Sequence, residues 1–417
     1  MVTHRSATPA TLLLLLLTGV VAGPASAADD ALAHANRLLS STILIDGHND
    51  LPITIRGATK GDVRSYDLRG HAPGQTDIPR LRAGHVGAQF WSVYIPGEMK
   101  GGGFARMQLE QIDIARRLID TYPDVFRFAG SAADIRAAHA AGRIASLLGI
   151  EGGHAIEDSL GALRAYYDLG VRYMTLTHNS HTDWADSAMP ETPKSGGLSP
   201  FGEQVVREMN RLGMLVDLSH TAPDTMRDAI AVSKAPVIFS HAAARGLVDI
   251  PRNVPDDVIR SLPGNGGVLM VTFVAGFVSA DAAKVLFPAM KEFYRSAGGV
   301  KSEEERRALY EDFKKKLVLP RVTVKDVADH IDYVVKLAGV DHVGIGGDFD
   351  GNDLWPEGLS DVSMFPNLFA ELIRRGWSDR DLKKLAGENV LRAMERAEKV
   401  ARELQATTAP AISLGGK

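Results

Sequence analysis

Eight short apolar segments recur along the 417-residue chain, and they limit the possible folds more than any other feature of the sequence. Each is bounded by Gly, Pro or polar residues, and most are separated by stretches with the helical repeat of apolar positions. The segments are TILI, AQFWSVY, IASLLGI, RYMTLT, MLVDLS, PVIFS, GVLMVTF and HVGIGG. Apolar strands that alternate with helices predict a parallel sheet covered by helices on its outer face.

Eight strand–helix units predict a closed (β/α)8 barrel of the TIM type, an α/β fold that forms one domain because all its strands share one core. A doubly wound open sheet is the alternative, but no Gly-rich phosphate loop follows the first strand. Between the seventh and eighth segments, a charged stretch at about 280–318 predicts an inserted pair of helices whose charges face solvent. We therefore expect a catalytic domain over 28–405 and a flexible tail over 406–417.

The first 27 residues have the features of a signal peptide. One arginine precedes an apolar run, and Ala25, Ser26 and Ala27 match the small-residue cleavage pattern, so we expect cleavage after Ala27. An uncleaved N-terminal anchor is the alternative, but the apolar run is shorter than the roughly 20 residues of a membrane helix. The sequence thus predicts an exported, periplasmic or secreted chain without a membrane anchor in its mature form.

The chain contains no cysteine, which excludes disulfides, thiolate metal sites and a cysteine nucleophile. Any metal ion must therefore be bound by His, Asp or Glu. With a net charge of −4 and no basic cluster beyond short helical runs, the chain also lacks the electrostatic features of a nucleic-acid-binding protein.

Side chains that can bind metal follow six of the eight predicted strands. In strand order they are His48 and Asp50, Glu151, His178, His220, His241, and Asp348 with Asp350. The carboxyl ends of all strands of a barrel open on one face, where active sites of this fold lie. His48 and Asp50 are two positions apart, so both point to the same side of an extended segment. The sequence therefore predicts that these groups converge at the barrel mouth.

Two pairs of ligands and one bridging group can be proposed from these residues. His48 pairs with Asp50, His220 pairs with His241, and the two oxygens of Glu151 could bridge two ions. Five nitrogen and oxygen ligands without sulfur suit zinc or manganese, and we expect zinc. A single histidine at a strand end more often caps or hydrogen-bonds the backbone, so the prediction depends on all five groups being in register.

Three loop residues near the expected site need separate interpretation. We expect Asp348 to be a proton shuttle and Asp350 to be structural, because it precedes Gly351 in a turn. Arg252 lies in a Pro-bounded loop, where a surface arginine is the simpler interpretation, although beside the barrel mouth it could hold a carboxylate in a bidentate fork. Five other histidines are expected to be structural: His34, His71, His85, His139 and His330.

Seven motifs, in this order, resemble the membrane dipeptidase (renal dipeptidase) family, peptidase family M19. They are DGHNDLP, LRAGHVGAQFWSVY, GIEGGHAI, RYMTLTHNSHTDWADS, VDLSHT, FSHAAARGLVDIPRNVPDD and HVGIGGDFDG. The resemblance implies a metal-dependent hydrolase of the amidohydrolase-like type with two zinc ions, which cleaves L,L and L,D dipeptides by means of a hydroxide shared between the ions. It also implies hydrolysis of some carbapenem and penem β-lactams, and a homodimer.

The resemblance also implies a role for each matching residue. Metal ligation is implied for His48, Asp50, Glu151, His220 and His241, with Glu151 as the bridge. Substrate binding is implied for His178, Arg252 and Asp348, with Arg252 at the substrate carboxylate. A catalytic role is implied for His178 and Glu151, and for Asp348 as the group that transfers the proton.

Two features depart from the animal members of this family. Val274 stands near the position where those enzymes have an aromatic side chain in the substrate pocket, and the helical insertion before Val322 differs from theirs. We therefore expect a bacterial relative with its own side-chain preference. Two other functions remain open: hydrolysis of another amide, lactone or phosphoester by the same barrel, and a non-catalytic binding protein with a structural metal.

Overall fold

The structure is a computed structural model that describes residues 1–4, 27–97, 99, 102–297 and 303–412. The strands are β1 (Leu44–Asn49), β2 (Val86–Ser92), β3 (Phe126–Phe128), β4 (Ile144–Glu151), β5 (Val171–Thr175), β6 (Leu215–Asp217), β7 (Val237–Ala242), β8 (Val268–Val271) and β9 (Val343–Ile345). The α-helices are α1 (Ala27–Leu39), α2 (Leu51–Thr59), α3 (Ile78–Ala83), α4 (Phe104–Thr121), α5 (Ala132–Ala140), α6 (Leu160–Asp168), α7 (Pro200–Leu212), α8 (Pro223–Val232), α9 (Asp256–Asn265), α10 (Ala275–Val278), α11 (Ala280–Ala297), α12 (Glu303–Lys316), α13 (Val324–Ala338), α14 (Phe365–Arg374), α15 (Asp379–Lys383) and α16 (Asn389–Thr407). Short 3-10 helices cover Gly153–Ile156, Val340–His342 and Val362–Met364, and a π-helical turn covers Lys384–Glu388.

Most of the expected signal peptide, residues 5–26, lies outside the described part of the chain. Within the described part, no helix is both long enough and apolar enough to cross a membrane.

Eight of the strands close into a parallel barrel. Their hydrogen-bonded order is β2-β1-β9-β8-β7-β6-β5-β4, and β2 also pairs with β4, which joins the two ends of the sheet. In this closing pair, Ala88 lies opposite Ala145 and Ser92 lies opposite Gly149. Each of the eight strands overlaps one of the eight apolar segments. The prediction of a (β/α)8 barrel is confirmed.

The three-residue strand β3 was not predicted. It pairs with Ile144–Ser146 at the start of β4, before the pairing of β4 with β5 begins at Leu148. Three residues are too few to show a period of two in the sequence, so this strand is defined by its neighbour rather than by its own pattern.

Both faces of the barrel strands are buried, which explains why the strands are apolar throughout instead of alternating. Neighbouring residues of a strand point to opposite faces. Phe90 of β2 and Leu147 of β4 pack with Tyr173 of β5 in one apolar cluster. The next residues along these strands, Trp91 and Leu148, belong to the cluster that includes the surrounding helices.

Helices α11 and α12 form the expected insertion between β8 and β9, the seventh and eighth strands of the barrel. On the outer side of α12, Asp312 and Lys316 form an exposed ion pair. The opposite side of this helical pair faces the barrel mouth. The insertion therefore has a solvated face, as predicted, and a second face whose contacts the charge pattern did not indicate.

The apolar period of the sequence over 378–404 predicts one C-terminal helix with Ser378 as its N-cap. The cap is present, because the Ser378 side chain accepts a hydrogen bond from the backbone N–H of Asp381. The π-helical turn, however, separates α15 from α16. Within it, a Cβ atom on Gly387 would lie 2.3 Å from the carbonyl oxygen of Ile43. The turn therefore lies where the helix backbone approaches the barrel too closely for any side chain.

Candidate metal centre and active site

The predicted ligands lie together at the end of the barrel where the strands finish. His48 and His241 are the second-last residues of β1 and β7, and Glu151 is the last residue of β4. His220 lies three residues beyond the end of β6. Three groups of residues bring their ligand atoms within 4.8 Å of one another: His48, His241 and Asp348; Glu151, His178 and His220; and His48, Asp50 and Glu151.

Glu151 lies at the centre of this cluster, and its two carboxylate oxygens face different partners. Oε1 is 3.0 Å from Nε2 of His220 and 3.3 Å from Nε2 of His241. Oε2 is 3.6 Å from Nε2 of His48, which is itself 3.2 Å from Oδ2 of Asp50. Ligand atoms about 2.0–2.1 Å from one tetrahedral zinc ion are roughly 3.3 Å apart. The spacing therefore fits that of metal ligands, and each oxygen of Glu151 faces a separate group of them.

The hydrogen bonds behind two of the imidazoles determine which nitrogen faces the cluster. Nδ1 of His220 lies 3.1 Å from the amide oxygen of Asn179. Nδ1 of His241 lies 2.9 Å from the hydroxyl oxygen of Ser240, which donates its own proton to Asp217 over 2.6 Å. Because both partners accept, each ring donates through Nδ1 and turns the lone pair of Nε2 toward Glu151. A neutral imidazole held in this way is prepared to bind a metal ion.

The third imidazole, His48, is supported by a tyrosine from across the barrel. Its Nδ1 lies 2.9 Å from the hydroxyl group of Tyr173, and both side chains are buried. The Tyr173 ring occupies space beside Gly149, where a Cβ atom would lie 2.0 Å from the ring. Gly149 is thus required for the tyrosine to reach His48. Nε2 of His48 has no hydrogen-bond partner among the described residues, which leaves it available for an ion.

Burial and charge shift the proton affinities of the cluster in directions that suit a cation. Burial lowers the pKa of His220 and of His241 well below the ordinary value, and the charge of Arg252 adds to this effect. Burial raises the pKa of Glu151, and it raises the pKa of Asp348 well above the ordinary value. Despite its burial, Tyr173, Asp50 and Glu151 instead raise the pKa of His48 well above the ordinary value. Neutral His220 and His241 beside buried carboxylates form an environment in which a bound cation compensates the charge.

Three residues at the mouth have left-handed backbone conformations. The φ angles are +65° for His220, +65° for Asp348 and +62° for Asp350. Asp and His adopt this region more often than most residues with a side chain, but it is uncommon for any of them. The strain accompanies the sharp turns that direct these side chains over the open end of the barrel.

Arg252 is almost fully buried, which excludes the interpretation as a surface arginine. Its Nη2 donates to the carbonyl oxygen of His241 over 2.9 Å. Nε and Nη1 have no hydrogen-bond partner within the part of the chain that the structure describes. Burial lowers the pKa of Arg252 to about 10, so it remains charged at neutral pH. Two donors of a buried cation are therefore available to an anionic ligand.

Arg252 and the members of the cluster other than His48 line one cavity of about 260 Å³. This volume is near the lower end of those typical of small-molecule pockets. His178 lies at its edge, with Nε2 3.9 Å from Oε1 of Glu151 and its ring 4.9 Å from the ring of Tyr94. Val274 also lines the cavity, as the sequence comparison with animal enzymes suggested.

Three further polar residues near the site, Asp350, His154 and His181, support the loops around it. Asp350 accepts a hydrogen bond from the backbone N–H of Gln75 over 3.0 Å, and burial raises its pKa to about 6. His154 contacts the carbonyl oxygen of Ile95 at 3.0 Å. His181 lies 3.2 Å from Asp186, whose carboxylate accepts backbone N–H groups from the loop at 194–197.

Four residues that orient the imidazoles were not predicted from the sequence. They are Tyr173, Asn179, Asp217 and Ser240. A signal for two of them was present, because Asp217 and Ser240 are polar residues inside apolar strands that are buried on both faces. A buried polar residue needs a hydrogen-bond partner. Tyr173 carried no such signal, since an aromatic residue is ordinary in a strand.

A (β/α)8 barrel with clustered imidazoles and carboxylates at its mouth defines a metal-dependent hydrolase of the amidohydrolase-like type. The family model for membrane dipeptidase, peptidase family M19, matches residues 32–408. The chain belongs to this family and is a metallo-dipeptidase. It is 41% identical over 389 residues to dipeptidase verJ of Clonostachys rogersoniana, covering 91% of this chain and 90% of that protein.

Two solved structures show the same fold. The probable dipeptidase PvdM from Pseudomonas aeruginosa is 29% identical, with a TM-score of 0.77, 89% of this chain covered and 99% of that one. A metallo peptidase from Rhodobacter sphaeroides, liganded with a phosphinate mimic of the dipeptide L-Ala-D-Ala, is 23% identical, with a TM-score of 0.71, 86% of this chain covered and 100% of that one.

Proposed function

We propose that this chain is a dipeptidase that uses two zinc ions to hydrolyse the peptide bond of dipeptides. The observation that carries this proposal is the position of Glu151, whose two oxygens face separate groups of ligands. His48 and Asp50 would hold one ion, His220 and His241 would hold the other, and Glu151 would contact both. When bound, the ions would polarise the scissile carbonyl group and lower the pKa of the attacking water.

His178 and Asp348 would supply the remaining chemistry. His178 lines the cavity beside Glu151, where its imidazole would donate a hydrogen bond to the carbonyl oxygen as negative charge develops there. Asp348 lies with Oδ1 4.0 Å from Nε2 of His48, and its raised pKa favours uptake of a proton. It would accept the proton of the attacking water and transfer it to the leaving amine.

Arg252 would set the length of the substrate. Arg252 is a buried cation with unpartnered donors at Nε and Nη1, and the carboxylate at the C-terminus of a dipeptide would compensate its charge. A tripeptide bound for cleavage of its first bond would place an amide at this point instead. The amide is neutral, so it would leave the buried positive charge of Arg252 uncompensated.

The same arrangement of metal ligands and Arg252 supports two further classes of substrate, L,D dipeptides and some β-lactams. A D-residue at the C-terminal position has the same carboxylate and the same scissile bond, with its side chain directed differently. Carbapenems and penems likewise have a carboxylate on the carbon next to the nitrogen of their strained amide. We propose both as further substrates, since neither changes the two groups that Arg252 and the metal ligands would contact.

We also propose that the mature chain is exported after cleavage behind Ala27, acts in the periplasm or outside the cell, and forms a homodimer. The signal-peptide pattern of the first 27 residues supports export. N-terminal sequencing of the secreted chain would begin at Ala28 if this is correct, and gel filtration with light scattering would give twice the mass of the mature chain.

The function is tested by measuring amino acids released from L,L dipeptides, L,D dipeptides and tripeptides by the purified chain, together with its metal content. We expect turnover of dipeptides only, about two zinc ions per chain, and loss of activity with a chelator. Two metal ions without turnover of any dipeptide would contradict the substrate assignment and indicate another amide, a lactone or a phosphoester. Absence of metal would contradict the ligand assignment.

A further inference from the structure

The cavity has a polar floor and an apolar wall, and the wall comes from a different part of the chain than the floor. The floor consists of Arg252 and the members of the cluster other than His48, at the barrel mouth. The apolar wall consists of Phe277 on α10, Phe287, Met290 and Phe293 on α11, and Tyr310 and Phe313 on α12.

The positions of these residues explain why one side of the insertion is apolar. Phe287, Met290 and Phe293 are three residues apart on α11, as are Tyr310 and Phe313 on α12, so each set lies on one side of its helix. The Phe293 ring is 5.7 Å from the Tyr310 ring and 5.4 Å from the Phe313 ring. These ring contacts join the two helices and keep their apolar sides toward the cavity.

The apolar wall begins beside Arg252, the residue proposed to bind the substrate carboxylate. The guanidinium carbon of Arg252 lies 5.4 Å from the centre of the Phe277 ring, and the Phe277 ring is 6.1 Å from the Phe287 ring. In a dipeptide, the carboxylate and the side chain of the C-terminal residue are attached to the same carbon atom. A carboxylate at Arg252 therefore places that side chain next to Phe277 and Phe287.

We propose that the apolar wall selects dipeptides with a bulky apolar or aromatic side chain on the C-terminal residue. This inference rests on the proposed dipeptidase function. Phe287 and Met290 are only partly buried in the chain itself, so a substrate side chain can cover them further. Transfer of an aromatic side chain from water to this wall is favourable, whereas a charged side chain would lose its hydration without gaining a partner.

The test compares kcat/KM for L-Ala-L-Phe, L-Ala-L-Ala, L-Phe-L-Ala and L-Ala-L-Glu. We expect L-Ala-L-Phe to exceed L-Ala-L-Ala by about 10–100-fold, since apolar pockets discriminate by factors of this size. L-Phe-L-Ala is expected to resemble L-Ala-L-Ala. L-Ala-L-Glu is expected to be the poorest substrate.

The double variant Phe287→Ala/Met290→Ala should lower kcat/KM for L-Ala-L-Phe about tenfold and leave that for L-Ala-L-Ala within about twofold. Retained L-Ala-L-Ala hydrolysis also demonstrates that the variant is folded. The matched control is Val285→Ala on the same helix, because Val285 is 38% exposed and does not line the cavity. It should behave like the unmodified chain with all four peptides.

Each negative outcome has a separate meaning. Equal hydrolysis of L-Ala-L-Phe and L-Ala-L-Ala, or a preference unchanged in the double variant, would overturn the role of the wall and leave the dipeptidase function intact. Preference for L-Phe-L-Ala would overturn the assignment to the C-terminal residue. Absence of turnover with every dipeptide would overturn the proposed function itself.

Discussion

At the scale of single residues, the most informative side chain is Arg252, a buried cation with two available donors. We predict that Arg252→Ala raises KM for dipeptides by about 100-fold and changes kcat much less, because the lost contact is made to a carboxylate that takes no part in bond breaking. Steady-state kinetics measures both constants. The control is Arg260→Ala, an exposed arginine on α9, and unchanged KM in Arg252→Ala would exclude a role in substrate binding.

A second residue-scale prediction concerns Tyr173, whose hydroxyl group contacts Nδ1 of His48. Tyr173→Phe should lower metal affinity about 10–100-fold, as is typical when the partner of a ligating imidazole is removed. Competition with a metallochromic chelator measures the affinity. Tyr166→Phe, on α6, is the matched control. It also removes a buried hydroxyl group, which donates to the carbonyl oxygen of Ala155. Equal affinities in the two variants would contradict the role of Tyr173.

At the scale of elements, a buried histidine links α13 to the segment that follows β7. Nδ1 of His330 accepts a hydrogen bond from the backbone N–H of Ala244 over 3.0 Å, and burial lowers the pKa of His330 from 6.5 to about 4. The folded chain therefore binds fewer protons here than the unfolded chain. The stabilisation is present above pH 6.5 and is lost as the pH falls toward 4.

We predict that the titration of His330 lowers the free energy of unfolding by about 2 kcal/mol as the pH falls from 7 to 5. His330→Gln keeps a hydrogen-bond acceptor but cannot titrate, so its free energy of unfolding should fall by about 2 kcal/mol less over this interval. Denaturant unfolding at the two pH values measures the difference. His71→Gln, at a side chain that is 82% exposed, is the control, and parallel pH profiles for His330→Gln and the unmodified chain would contradict the prediction.

At the scale of the whole molecule, the metal site joins strands from different parts of the barrel. Asp50 follows β1, Glu151 ends β4 and Asp348 follows β9, so their like charges meet only in the closed barrel. We predict that bound zinc stabilises the fold by about 3 kcal/mol when free metal exceeds Kd 100-fold. Thermal unfolding with and without a chelator measures this effect. Glu151→Gln should lose most of the metal-dependent rise in Tm, while Glu191→Gln, an exposed variant, should retain it.

The sequence alone was sufficient for the barrel and for the candidate ligands. Strand and helix positions follow from local periodicity, which depends only on residues a few positions apart. The ligands were recognisable because every barrel strand ends at the same face, so a residue such as Glu151 or His241 could be placed from its distance to a strand end. The Ser378 cap is equally local, because its partner is Asp381.

The tertiary structure decided which residues support these ligands and what the substrate would meet. Tyr173 reaches His48 across 125 positions of sequence, and it does so only because the barrel closes and Gly149 leaves room for its ring. The apolar side of the insertion was not predicted, because its direction toward Arg252 depends on how α11 and α12 pack over the mouth. Periodicity determines which residues share a face of an element. The packing of complete elements determines what that face contacts.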